Sequence, residues 1–295
     1  MNEVLYDVDG HVATLTLNRP DARNSVNPEL TTEMAAALDR LEADPDVWVG
    51  ILTGTGPTFC AGADLKALGA GRAAELTTDK GGFAGFVRYP RTKPMIAAVR
   101  GFALAGGTEL VLSCDLVVAG TDVAFGLPEV TRGIVAAAGG LFRLPRVIGS
   151  ARAIELILTA DRLGVEEAHR LGLVNHVVDP DQVLARAREL ADKICANAPL
   201  AVRDSLAIAR DALRIDDDVA WRRSAEAMDR VRVSEDAREG VTAFVEKRRP
   251  AGPADDPAAG GCPRRRGRRV DDRPRRRRHD GRPRRGRRQG RADAR

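Results

Sequence analysis

Two glutamates stand where a carboxylate should be short of water. Glu109 follows Gly106-Gly107-Thr108 and precedes Leu110-Val111-Leu112, and Glu129 comes twenty residues later in Phe125-Gly126-Leu127-Pro128-Glu129-Val130. Partial burial raises a carboxyl pKa and suits the group to proton transfer. Either glutamate alone is better read as half of a structural ion pair, with Arg100 or Arg132 as partner. Two stretches of tiny residues change that balance. Phe59-Cys60-Ala61-Gly62-Ala63-Asp64-Leu65 and Ala103-Leu104-Ala105-Gly106-Gly107-Thr108-Glu109-Leu110 each run from an extended segment into the start of a helix. The first N–H groups of a helix have no partners inside it, and small residues let a ligand approach the backbone. Two such N–H groups aimed at one point would stabilise an oxyanion as it develops. Taken singly, each stretch is no more than a glycine-rich junction that packs tightly. Together with two poorly solvated glutamates, the pair favours catalysis.

The elements that must hold these residues alternate between strand and helix. Residues 11–17 alternate and are β-rich; 47–53, 94–99, 115–119 and 123–125 are further apolar strands. A strand is expected into Phe59-Cys60, and 101–104 reads as a connection. Pro28 opens a helix with apolar positions at Leu30, Met34, Leu38 and Leu41, and Gly106-Gly107 opens a small-residue helix running through Cys114. From Ala151 the pattern turns helical. A short helix, a glycine break and a strand fall over 165–174, and helices are expected over 182–196, 200–214, 218–231 and 234–247. This is an α/β chain with a helical C-terminal region. We divide it into a core over 1–195, a helical region over 196–250 and a tail over 251–295.

Composition excludes several classes. The 295 residues are 43% apolar and 30% charged, ordinary for a globular protein that needs no disulfide to fold. Four scattered cysteines with no C-x-x-C pair argue against a disulfide scaffold, a zinc ribbon and a thiol-redox motif. Four histidines without ligand spacing argue against a metal site. The acidic N-terminus lacks the apolar core of a signal peptide, and no apolar run is long enough to span a membrane, so a cytoplasmic protein is expected. The formal net charge of +5 misleads. Residues 263–295 hold 17 Arg against 4 Asp, a net of +13, and the rest carries −8. The last 45 residues are almost all Ala, Gly, Pro, Arg and Asp. Such a segment buries too little apolar surface to order itself. It reads as a nucleic-acid or anionic-surface binder, as a solvated extension, or as a wrong-frame translation of GC-rich DNA. We favour the last, because the composition changes abruptly at Pro250.

A set of motifs in fixed order resembles the crotonase family, the enoyl-CoA hydratase/isomerase superfamily. They are Asn18-Arg19-Pro20 with Asn24-Ser25; Phe59-Cys60-Ala61-Gly62-Ala63-Asp64-Leu65; Lys93-Pro94-Met95-Ile96-Ala97-Ala98-Val99-Arg100-Gly101; Ala105-Gly106-Gly107-Thr108-Glu109-Leu110; Cys114-Asp115; Phe125-Gly126-Leu127-Pro128-Glu129; and Phe244-Val245-Glu246-Lys247-Arg248. They cover roughly residues 4 to 250.

The resemblance implies a spiral of ββα units, C-terminal helices that help build homotrimers or homohexamers, and an acyl-CoA thioester as partner. It places the thioester oxygen on the N–H groups of Ala63 and Gly106 and makes Glu109 and Glu129 the catalytic pair. Family isomerases often keep only the second glutamate, so both together point to an enoyl-CoA hydratase. Isomerisation, or another crotonase reaction on a CoA thioester, is the alternative within the enzyme class; nucleic-acid binding through the tail is the alternative outside it. The resemblance also implies substrate contacts at Arg23, Ala61, Asp64, Leu65, Lys66 and Ala137, with no cofactor beyond the coenzyme A that the substrate carries. Two positions depart from the pattern. Ala105 stands for the first of three glycines. Ala136-Ala137-Ala138-Gly139-Gly140 stands where hydratases commonly have Pro-Gly-x-Gly-Gly, so Ala137 replaces a glycine. Residues 67–89 are expected as a mobile loop forming part of the acyl pocket. Cys60 is expected as a small buried hydrophobe, His169 and His176 as surface or structural residues, and Trp48 and Trp221 as packing residues.

Overall fold

The computed structural model describes residues 2–248. The tail expected to be disordered lies outside the described residues. The chain opens with a hairpin of β1 (Val4–Asp9) and β2 (Val12–Leu17), then α1 (Pro28–Ala43) and β3 (Val49–Gly54). Next come α2 (Leu65–Gly69) and a small hairpin of β4 (Thr77–Thr78) and β5 (Gly82–Phe83). Two strand–strand turns follow: β6 (Met95–Val99) and β7 (Phe102–Leu104) lead into α3 (Gly106–Val111), and β8 (Leu116–Gly120) and β9 (Ala124–Gly126) into a 3-10 turn at Pro128–Arg132. Then come α4 (Gly140–Ile148), α5 (Ser150–Thr159), β10 (Leu163–Gly164), α6 (Val165–Arg170), β11 (His176–Val178) and α7 (Val183–Cys195). The helical C-terminal region holds α8 (Pro199–Asp211), α9 (Asp217–Val231) and α10 (Glu235–Val245).

Successive turns add one strand to each of two sheets. The six-stranded sheet runs β1-β2-β3-β6-β8-β11, parallel except for the β1–β2 hairpin. The three-stranded sheet runs β10-β9-β7, with β7 and β9 parallel. This is the repeating ββα spiral that the resemblance implies.

The large sheet is covered on both faces, as parallel sheets are. In β6, Met95, Ala97 and Val99 face one apolar cluster with α1, whose Leu30, Met34, Leu38 and Leu41 are fully buried at the predicted helical spacing. Ile96 and Ala98 face the other way, onto Val183, Ala187 and Ala191 of α7. Among the described residues no helix is long and apolar enough to cross a membrane.

The structure corrects four readings. The stretch 101–104 is not a plain connection, because Phe102–Leu104 pairs with β9. Phe59-Cys60 makes only a single bridge, Cys60 to Ala103, in place of a full strand. The 67–89 stretch is not an open loop: Leu76, Ala84, Phe86 and Tyr89 are buried, and Tyr89 hydrogen-bonds Asp39 of α1. Trp48 packs as expected, stacked on His11 at 3.5 Å, but Trp221 on α9 is 75% exposed in this chain.

The helix α8 buries no residue of its own, so its tether matters. Arg210 grips Asp115 with both arms of its fork, Nε to Oδ1 at 2.6 Å and Nη2 to Oδ2 at 2.7 Å, and also donates to the carbonyls of Arg91 and Lys93. Bidentate charge-assisted pairs are the strong ones, and breaking one leaves its partner unpaired. R210A is expected to destabilise the chain by about 2 kcal/mol in thermal or urea unfolding. An unchanged melt would show that α8 is held by other means.

Candidate active site

Two strips of backbone meet with no side chain between them. Cys60 N–H donates to the Phe102 carbonyl at 3.2 Å, and the Cys60 carbonyl accepts from Leu104 N–H at 3.0 Å. A side chain on Gly107 would start 2.2 Å from the Cys60 oxygen, and one on Gly62 would start 3.1 Å from the Gly106 nitrogen. The glycines are therefore demanded by contact. On the far side of the first strip, Gly62 C=O and Asp64 N–H bond Val26, forming a parallel bridge centred on Ala63. In such a ladder the N–H of the residue between points the other way. Among the described residues, no backbone carbonyl takes the N–H of Ala63 or of Gly106. The structure thus brings the two expected oxyanion donors to neighbouring strips and leaves both unspent.

Ala105, which caps α3, sits at φ +52°, ψ −127°. That region favours glycine, and a side chain there stores strain of the order of 1–3 kcal/mol. The exchange of Gly for Ala at this position is therefore a strained one.

Glu109 lies in a helix whose every residue is buried, and its side chain is 3% exposed. Oε1 accepts the Gly140 N–H at 2.9 Å. Burial pushes the carboxyl up to about 7; the Gly140 N–H opposes the rise, the Glu129 charge adds to it, and the Ala138 N–H and Arg143 oppose it again. Glu129 is 7% exposed. Burial raises its pKa too, against its own backbone N–H and the Arg132 charge. Its Oε2 is buried and has no hydrogen-bond partner among the described residues. Neither glutamate forms an ion pair there with Arg100 or Arg132, though the Arg132 charge acts on Glu129. One carboxyl is held by donors; the other presents an unspent oxygen.

The outlying residues sort differently. Arg23 is exposed, and its carbonyl anchors the Ala61 N–H at 3.1 Å. Leu65 and Lys66 are exposed on the first turn of α2. Asp64 is committed to structure: Oδ1 caps α2 through the Lys66 N–H at 2.9 Å, and Oδ2 meets Arg19 at 3.0 Å. Burial raises its carboxyl, but the Lys66 N–H and Arg19 outweigh it and hold the group below the usual carboxylate range. Ala137 is exposed in the turn before α4. Cys60 is fully buried, and burial pushes its thiol up to about 12, the behaviour of a packing residue.

Three groups that shape this site escaped the sequence reading. The Thr108 hydroxyl lies 2.6 Å from the Ala103 carbonyl and 2.9 Å from that of Gly126, and accepts the Gly126 N–H at 3.1 Å, clasping α3 to β7 and β9. The Gly140 N–H holds Glu109. The Phe83 ring covers Gly106, 2.5 Å from where a side chain would begin. A threonine between Gly-Gly and a buried Glu was the one signal available; the other two arise from tertiary contact.

The fold and these unspent groups define a protein of the crotonase class. Residues 7–252 match the family model described as enoyl-CoA hydratase/isomerase, and the chain belongs to that family. The chain is 40% identical to a short-chain-enoyl-CoA hydratase of Clostridium acetobutylicum, over 84% of this chain and 97% of that one. It is 42% identical to a mevalonyl-coenzyme A hydratase of Aspergillus fumigatus, over 81% and 90%. A crystal structure of an enoyl-CoA hydratase from Mycobacterium tuberculosis superposes with a TM-score of 0.81 at 47% identity, covering 85% of this chain and 98% of that one.

The buried Glu109 carries a stability cost with a definite sign. Its folded pKa, about 7, lies above the ordinary value of 4.5. The folded state therefore binds the proton more tightly; that advantage is complete below about pH 4.5 and is lost as pH rises through 7. E109Q has no such proton to lose. It is expected to be more stable than the unsubstituted protein at pH 8, by up to about 3 kcal/mol, with the gap closing towards pH 5. Thermal melts at the two pH values check this, and an equal gap at both would overturn it.

Proposed function

We propose that the chain is an enoyl-CoA hydratase that adds water across the 2,3 double bond of a 2-enoyl-CoA to give a 3-hydroxyacyl-CoA. The observation that carries this reading is the pair of buried carboxyls without ion-pair partners, set beside two unspent backbone N–H groups. The thioester oxygen takes the N–H groups of Ala63 and Gly106. Polarisation draws electrons from C3, and water adds there as Glu109 accepts its proton. The double-bond electrons move onto the thioester oxygen as an enolate, and Glu129 returns a proton to C2. Atoms and charge balance, and the step calls on nothing beyond the coenzyme A in the substrate. Donors fixing Glu109 suit a group that must start ionised; an oxygen of Glu129 with no donor suits one that starts protonated. Two intact carboxyls favour hydration over isomerisation.

Arg23, Ala61, Leu65, Lys66 and Ala137 are proposed as substrate contacts at the exposed margin of the site, with Lys66 and Arg23 offering charge to the phosphates of coenzyme A. We propose a homotrimer, or two trimers as a hexamer. Large apolar side chains are exposed on α4 and α5 (Phe142, Ile154, Leu158) and on the helical region over 196–250 (Trp221, Met228, Phe244), beyond what a monomer usually shows. Cytoplasmic placement is proposed on the free thiols of Cys60, Cys114 and Cys195 and on a CoA-linked substrate.

Loss of the conjugated thioester absorbance with crotonyl-CoA tests the reading. The unsubstituted protein is expected to turn over with kcat/KM falling as pH drops below about 7, where Glu109 takes up its proton. E129Q is expected to lose about a hundredfold or more in kcat. Full activity in that variant would remove Glu129 from the mechanism, and no turnover with any 2-enoyl-CoA would remove hydration.

Phe83 should set the width of the acyl path beside Gly106. F83A is expected to raise kcat/KM for an eight-carbon over a four-carbon 2-enoyl-CoA by about tenfold. An unchanged ratio would place the acyl chain elsewhere.

A further inference from the structure

Arg143, on the first turn of α4, is half-buried, and no carboxylate among the described residues comes within ion-pair distance of it. Its fork is spent on neutral oxygens: Nη1 donates to Ser113 Oγ at 2.8 Å and to the Ala138 carbonyl at 3.2 Å, and Nη2 donates to the Val87 carbonyl at 2.6 Å. Two of the three acceptors belong to segments that hold Glu109. Ser113 follows α3, and its hydroxyl donates to the Glu109 carbonyl at 2.6 Å. Ala138 lies in the turn whose Gly140 N–H grips the Glu109 side chain. Val87 follows the β4–β5 hairpin, whose Phe83 covers Gly106. Room for the guanidinium is built in, since a side chain on Gly139 would start 2.5 Å from Nη1.

Even a half-buried guanidinium without a counter-ion carries a desolvation cost. The charged groups around it do not relieve it. Arg91 and Arg214 repel it, the Cys114 thiol is pushed up to about 12, and Glu109 is the carboxyl whose charge favours it. The titratable groups facing Glu109 are Glu129 from the turn after β9 and Arg143 from α4.

We propose that Arg143 is the positioning residue of this site: its fork ties the two segments that hold Glu109 to the segment after the β4–β5 hairpin, and brings an unpaired charge into that neighbourhood. The inference rests on the hydratase reading for its catalytic consequence, but the electrostatic part does not. With Arg143 in place, Glu109 gives up its proton more readily than burial alone would allow, and its oxygen stays on the Gly140 N–H.

The test is a carboxyl-labelled glutamate NMR titration of the full chain, with E109Q identifying the Glu109 signal, run beside crotonyl-CoA kinetics. R143Q is expected to move the Glu109 titration upward by about half a pH unit or more, move the acid limb of kcat/KM with it, and lower kcat about tenfold with KM little changed. R143K keeps the charge but not the fork, so the titration should stay where it was while kcat still falls. An unmoved Glu109 in R143Q overturns the proposal. If R143Q does not fold, R143K decides alone: a shifted titration or an undiminished kcat overturns it. Should the unsubstituted protein hydrate no 2-enoyl-CoA, the hydratase reading falls, and the NMR shift still decides the electrostatic hold of Arg143.

Discussion

Backbone touches backbone where the strip at Cys60 to Gly62 lies on Leu104 to Gly107, and most of the site follows from that contact. A Cβ on Gly107 would begin inside the Cys60 carbonyl. The contact fixes the distance between the strips, and so brings the N–H groups of Ala63 and Gly106 into one neighbourhood without any side chain to steer them. It also forces α3 into the interior, because a helix that starts at such a junction has nowhere else to go. Its six residues are all buried. A glutamate on that helix cannot reach solvent, and its partner must come from another segment. The Gly140 N–H fills that need from thirty-one residues away.

Thr108 explains why the second glutamate arrives beside the first. Its hydroxyl and the Ala105 N–H both meet the Gly126 carbonyl, at 2.9 Å each, at the end of β9. Two residues on, the 3-10 turn carrying Glu129 begins. The helix bearing one carboxyl and the strand delivering the other are thus joined by one side chain and one amide. Buried polar groups of this kind are costly when half satisfied and rigid when complete. Here Thr108 is complete and the Glu129 oxygen is not, which leaves the unmet demand at Glu129.

Much of this was legible because the local signals agreed with the tertiary outcome. The apolar spacing of Leu30, Met34, Leu38 and Leu41 gave α1, the alternating run before Leu17 gave β2, and four helix candidates at the C-terminal end match α7 to α10. Glu109, Glu129 and the two stretches round Ala63 and Gly106 stood out because charge among apolar residues, and tiny residues before a helix, are anomalies visible in one dimension; the choice of Ala63 and Gly106 within those stretches came from the family resemblance. The strand at Phe102–Leu104 was missed because its pairing to β9 is non-local. Residues 67–89 looked loop-like from their glycines, yet Phe86 and Tyr89 anchor the stretch to α1 and the core. Trp221 was assigned to packing, and a helix face that this chain leaves bare gave no warning. Arg143 carried no signal, since a half-buried arginine is indistinguishable from a solvated one until its acceptors are placed.

The C-terminal helices are not independent of this geometry. Asp115 takes the Arg210 fork on both oxygens, and Oδ2 also accepts the Met95 N–H at 2.8 Å. Met95 begins β6, the strand that leads through β7 into α3 and Glu109. A carboxylate shared in this way makes the docking of α8 and the position of β6 one equilibrium. Loosening the helix withdraws a guanidinium from a side chain that also fixes the strand. The apolar faces on α9 and α10, at Trp221, Met228 and Phe244, extend from that same docked unit. A contact made on those faces would therefore bear, through Arg210 and Asp115, on the first strand of the turn that leads into α3.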